Sequence, residues 1–247
     1  MAPGFARLGG WRVGALATLA IFALLAHAVA GPSPSEPRPK GGGLCETGRR
    51  QSPIDIVATR REALPALQFD YVPTPLRIVN DGHTVRVRLA GSRMLIGAER
   101  HTLQQFHFHL PGGDRVQGEE FPMAMHWLHK RANGELVALV MLFRLGTAHP
   151  ALAALLPQMP AAGQPERNLP ALTVDPAAWL PVASVRHGYY AYDGSVTAPP
   201  CTEGVRWVVL KQVQTLSATQ LAQLHQLMPD NARPVQPLQG RSVAEST

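Results

Sequence analysis

Several things are scarce in this sequence, and each scarcity removes a class of protein. No internal repeat runs along the 247 residues, so a solenoid or an array is excluded. Lys and Arg give a formal charge of +6 but nowhere form a dense cluster with interleaved aromatics, which are only 6% of the chain. The footprint of a nucleic-acid binder is therefore missing, and no nucleic-acid partner is expected. The charge serves solubility or weak attraction of anions. Long helical stretches are scarce too. The 23 prolines are scattered between short apolar runs, which points to loops and strands rather than a helical bundle. With 45% hydrophobic and 16% charged residues, the chain is composed as one globular domain, or at most two.

Cysteine occurs only twice, as Cys45 and Cys201, and what that means depends on the N-terminus. Arg7 and Arg12 precede an apolar run, residues 13–30, that closes on Ala28-Val29-Ala30. A basic start, an apolar run and a small-x-small end read as a signal peptide, residues 1–30. The alternative is an uncleaved anchor, for which the run is barely long enough. No cysteine stands at the cleavage point, so a lipoprotein is excluded. Residues 31–43, GPSPSEPRPKGGG, have no apolar residue except proline and read as a disordered leader. The folded domain is expected over 44–247, with its ordered part ending near Val243. The expected location is periplasmic or secreted, with no stable membrane association once the signal is removed. An even cysteine count in an exported chain reads as a disulfide; the alternative is two buried free thiols.

Patterning makes the domain mainly β. Val85, Val87 and Leu89 alternate with Arg86 and Arg88, a strand with one wet face. TLQQFHFHL and MAMHWLHK (123–130) read as strands. Asn133-Gly134 turns into LVALVMLF, a fully buried strand. Residues 151–159 and 217–228 read as peripheral helices, the second capped by Ser217.

Within QFHFH, residues 105–109, strand alternation places His107 and His109 on one face and Phe106 and Phe108 on the other. Two imidazoles side by side on a rigid strand are either a metal pair or a partly exposed surface pair. His126 follows His109 by seventeen residues, enough for the chain to turn and return on a neighbouring strand. There Ala124, His126 and Leu128 share a face, and His129 points the other way. Three imidazoles make three corners of a tetrahedron with the fourth open to water, as catalytic zinc requires. A cupin is excluded, because Gly112-Gly113 stand where its glutamate would follow H-x-H.

Six segments in order carry a resemblance: QSPIDI (51–56), IVNDGH (78–83), QFHFH, MHWLH (125–129), YDGSVTAPPCTEGVRW (192–207) and NARPVQPLQGR (231–241). Together they resemble the α-class carbonic anhydrases of the bacterial exported branch, over most of residues 45–243. The resemblance implies a large twisted, mainly antiparallel central sheet with peripheral short helices. It implies reversible hydration of carbon dioxide to bicarbonate and a proton by zinc-bound hydroxide, with Zn2+ on His107, His109 and His126. It further implies Thr197 as the threonine that contacts the hydroxide and His83 as the proton shuttle. Leu128, Ala138, Val196 and Trp207 match the apolar substrate pocket, and Gln105 and the backbone of Asn231 match partners of the first two ligands. Cys45 and Cys201 match the disulfide of secreted members. A monomer or dimer is expected.

Two family glutamates are absent. Gly113 stands where the family has the acceptor of the threonine hydroxyl, and Ala124 where it has the carboxylate that orients the third histidine. Asp114 could replace the first only if its loop were redrawn. Glutamates restored at both positions are expected to supply the missing acceptors, unless Gly113 has φ > 0 and its backbone resists a side chain. Two readings follow: an enzyme of reduced activity, or a zinc-binding, carbonic-anhydrase-like binding module with little turnover. All three ligands, Thr197 and His83 are retained, which favours the enzyme.

Overall fold

The structure, a computed structural model, describes residues 43–182 and 188–247. The expected signal peptide, and the expected leader apart from Gly43, lie outside the described residues. The first described element is a short helix, α1 (Leu44–Thr47).

Ten strands form one continuous path. In chain order they are β1 (Thr59–Glu62), β2 (Thr74–Asn80), β3 (Val85–Arg88), β4 (Glu99–His109), β5 (Met123–Lys130), β6 (Leu136–Leu145), β7 (Arg167–Val174), β8 (Tyr189–Ser195), β9 (Glu203–Leu210) and β10 (Val243–Ser246). Their spatial order is β7-β2-β3-β4-β5-β6-β9-β8-β10-β1, and three short strands off this path make a 13-stranded sheet. The sheet is mixed but mostly antiparallel. β6 and β9 run parallel, as do β10 and β1. The ordered chain thus continues past Val243: β10 is held between β8 and β1. A strand this short has no strong pattern of its own, and its two pairing partners define it.

Alternation explains how one sheet carries two cores. β6 is buried on both sides. Val137, Leu139, Met141 and Phe143 join one apolar cluster, and Ala138, Val140 and Leu142 join the other. The first cluster also takes Phe106, Phe108, Met125 and Trp127, and is covered by α2 (Pro150–Leu155) and α3 (Ala218–Leu227) through Leu152, Leu155 and Leu224. Ser217 caps α3 in a reciprocal capping box with Gln220. No described helix is long and apolar enough to cross a membrane. With helices on one face, the opposite face of β4–β6 is free to hold a polar site.

Candidate metal centre

The site grows out of two antiparallel strands. Phe106 stacks on Trp127 with ring centroids 4.8 Å apart, which fixes β4 against β5 from below. His107 and His109 then project from the other face. The register sets His107 opposite His126 and His109 opposite Ala124. The three imidazoles offer ligand nitrogens that all lie within 4.8 Å of one another. The Nε2 atoms of His107 and His109 are 3.1 Å apart, and the rings of His109 and His126 are 4.2 Å apart between centroids. Burial pushes all three pKa values down, His109 to about 4, so the rings are neutral and their lone pairs available. His129 points away, as alternation requires. Its Nδ1 donates to the Trp127 carbonyl, and its Nε2 accepts from the Tyr71 hydroxyl at 2.8 Å.

The rings are not equally supported. His107 Nδ1 donates to Gln105 Oε1 at 3.0 Å. His109 hydrogen-bonds to Asn231, which raises its pKa against the larger effect of burial. His126 Nε2 is buried with no partner among the described residues. Two positions away on the same face is Ala124, a methyl group that accepts nothing.

Asp114 does not repair the other vacancy. Its Oδ1 accepts from the Ile54 amide at 3.1 Å and the Tyr192 hydroxyl at 2.8 Å, and no hydrogen bond joins it to Thr197. Its Oδ2 is buried without a partner among the described residues, and burial pushes its pKa up to about 7. Gly113 has φ +83, and a Cβ there would meet Pro53 Cγ at 3.3 Å. Of the two alternatives expected for this position, the structure has the backbone that resists a side chain. The backbone takes a left-handed turn there that only glycine adopts freely.

Above the histidines opens a cavity of about 210 Å³. Its polar wall carries His83, Arg86, Gln105 and Thr197; its apolar wall carries Leu128, Ala138, Val196, Val205 and Trp207. Every cavity residue expected from sequence lines it. Arg86 and Val205 were not singled out. Arg86 reads only as part of a wet strand face, because its place beside His107 depends on the β3–β4 register. His83 is exposed, with its ring 6.4 Å from that of His109 between centroids. Thr197 follows β8 in a loop with several ties. Ser52 and Ser195 exchange hydrogen bonds at 3.1 Å, the Trp207 indole donates to the Ser195 carbonyl, and a disulfide joins Cys45 to Cys201. Arg233 adds hydrogen bonds to the Cys45 carbonyl at 2.6 Å and to Gln51 Oε1 at 2.7 Å.

Residues 38–247 match the family model described as Eukaryotic-type carbonic anhydrase. The chain belongs to the α-class carbonic anhydrases. It is 39% identical over 206 residues to a carbonic anhydrase of Pectobacterium carotovorum, covering 81% of each chain. The α-carbonic anhydrase of Photobacterium profundum superposes with a TM-score of 0.76 at 37% identity, over 82% of this chain and 92% of that one. That of Thermovibrio ammonificans, solved with the inhibitor sulfanilamide, superposes with a TM-score of 0.75 at 38% identity, over 81% and 89%. In this carbonic anhydrase the cluster of His107, His109 and His126 is placed like the family's zinc site. The residues present fit such an ion: three neutral nitrogen donors converge and no fourth side chain closes the set. The disulfide is consistent with an oxidising compartment.

Proposed function

We propose that this enzyme hydrates carbon dioxide reversibly to bicarbonate and a proton, in the periplasm or outside the cell, with one zinc held by His107, His109 and His126. The observation that carries the reading is the convergence of three neutral imidazoles at the foot of a cavity with one apolar and one polar wall. Zinc, when bound there, supplies a Lewis acid that brings the pKa of water to about 7. Leu128, Ala138, Val196 and Trp207 hold the apolar substrate out of bulk water. Thr197 Oγ1 orients the attacking oxygen. The proton leaves through the exposed His83 ring, an imidazole that can accept it and pass it to buffer.

Thr197 works here without the glutamate that would fix its hydroxyl as a donor to one side. Losing one polar anchor of a preorganised site costs about 10²–10³ in rate. Turnover is therefore expected below that of relatives that keep both glutamates. A stopped-flow hydration assay on zinc-loaded protein, with and without a sulfonamide, tests the reading. Zinc-dependent, sulfonamide-sensitive hydration is expected. Zinc binding with no hydration above the buffer rate would leave the binding-module reading in its place.

A further inference from the structure

The polar wall carries a cation that hydration does not use. Arg86 on β3 pairs directly with His107 on β4, so the two side chains rise together from one face of the sheet and line the same cavity. Arg86 Nη2 donates to Asp81 Oδ2 at 2.9 Å. Asp81 Oδ1 in turn accepts the amides of His83 and Thr84 at 3.0 and 2.8 Å, which anchors the guanidinium to the loop that bears His83. The rest of the fork is open. Nε is buried and has no partner among the described residues, so the ends a molecule in the cavity can reach are Nη1, which no hydrogen bond engages among the described residues, and the second N–H of Nη2, on a side chain that keeps 32% of its exposure. Those free N–H groups are donors that an acceptor entering the cavity would satisfy. Beside it on the same wall, Gln105 has its Oε1 taken by His107, which leaves its amide N–H groups as the end available to a ligand. Asp81 takes one Nη2 N–H, and among the described residues no aspartate or glutamate lines the cavity to take the others. A planar fork of N–H donors matches the two oxygens of a carboxylate-shaped anion better than a point charge does.

We propose that Arg86, with the amide of Gln105, forms a seat for a small planar oxyanion on the polar wall, separate from the histidine cluster. Bicarbonate and a monocarboxylate share the required chemistry. That bicarbonate, as product, reaches the seat in turnover rests on the carbonic anhydrase reading; the seat itself rests on the cavity alone. An anion leaving the histidines would be held at Arg86 before it reaches solvent. Bicarbonate should accordingly have a lower KM in dehydration than in an enzyme without the arginine.

The test is calorimetric titration with bicarbonate and, separately, acetate, at pH 8 and low salt. It is run on wild type, Arg86→Gln and Arg86→Lys, each zinc-loaded and each stripped with a chelator, after thermal melts confirm folding. Arg86→Gln should weaken at least one anion about tenfold in both metal states, the change expected for one charge-assisted hydrogen bond. Arg86→Lys should fall between, since it keeps the charge and loses the fork. An effect on bicarbonate alone assigns the seat to product, and an effect on acetate alone assigns it to an organic acid. Equal affinities in wild type and Arg86→Gln for both anions would overturn the proposal, as would binding seen only with zinc and indifferent to Arg86. The stripped arm does not depend on turnover, so an inactive enzyme would leave this result readable.

Discussion

The two strands that carry the histidines are supported unequally. On β4, His107 and His109 each have a ring hydrogen bond, to Gln105 and to Asn231. On β5, His126 has a buried nitrogen with no partner among the described residues. The connection between the strands continues the sparse half, with Gly113 in a left-handed turn and Asp114 holding a buried oxygen that no described residue meets. Backbone register brings the three rings together whether or not each is supported, because pairing of β4 with β5 fixes their Cα positions. Support of the rings is a separate layer. It sets tautomer, orientation and basicity, typically worth about 10–100-fold in metal affinity or activity.

The coarsest way to break the comparison is to remove a ligand from the sparse side. His126→Ala should abolish stoichiometric zinc binding, and His129→Ala should not, since His129 serves Tyr71 and Trp127 on the other face. Zinc content measured on the purified variants decides it. Equal zinc in both would show that the poorly held ring is not a ligand.

A second test probes Asp114. In the folded protein its carboxyl keeps its proton up to about pH 7, against an ordinary value of 3.8. Between those values the native state binds more protons than the unfolded one. Stability from this group therefore falls as pH rises through the window, by an amount on the order of a few kcal/mol. Asp114→Asn keeps the Oδ1 acceptor and removes the charge. Its melting temperature should gain on wild type as pH rises from about 4 to 7, and stay ahead above it. Parallel pH profiles for the two proteins would mean that the orphan oxygen is hydrated or paired.

Gly113→Glu probes the same loop from the backbone. At φ +83 a side chain costs roughly 1–2 kcal/mol in conformation alone. A lower melting temperature with no gain in hydration is expected. A stable, faster variant would show that the loop relaxes to accept the carboxylate.

Much of this was legible in the sequence, for reasons that also mark the limit. The stretch MAMHWLHK reads as a strand over 123–130, and the structure gives the same bounds, because apolar residues on both faces leave little else possible. Ser217 reads as a cap because its side chain answers an orphan amide locally. Period two alone places His107 with His109 and turns His129 away. The parallel pairing of β6 with β9 was not legible, since it joins segments about 70 residues apart and no local pattern records a neighbour. Arg86 was missed for the same reason: alternation shows that it is wet, and only the register with β4 shows that it is wet inside the cavity. The loss of two acceptors could be read at Gly113 and Ala124. That Asp114 turns instead to Ile54 and Tyr192 could not be, since it depends on where a loop folds back.

The account stands most directly on one comparison of zinc affinity. Ala124→Glu places a carboxylate two residues from His126 on the same face, and Gln105→Ala removes the partner of His107. Competition titration with a chromophoric chelator reads both against wild type. If support is the missing layer on β5 and present on β4, Ala124→Glu should tighten zinc about 10–100-fold and Gln105→Ala should weaken it in the same range. If the glutamate variant folds and binds zinc no more tightly than wild type while Gln105→Ala costs nothing, the two halves of the site are equal and the account is wrong.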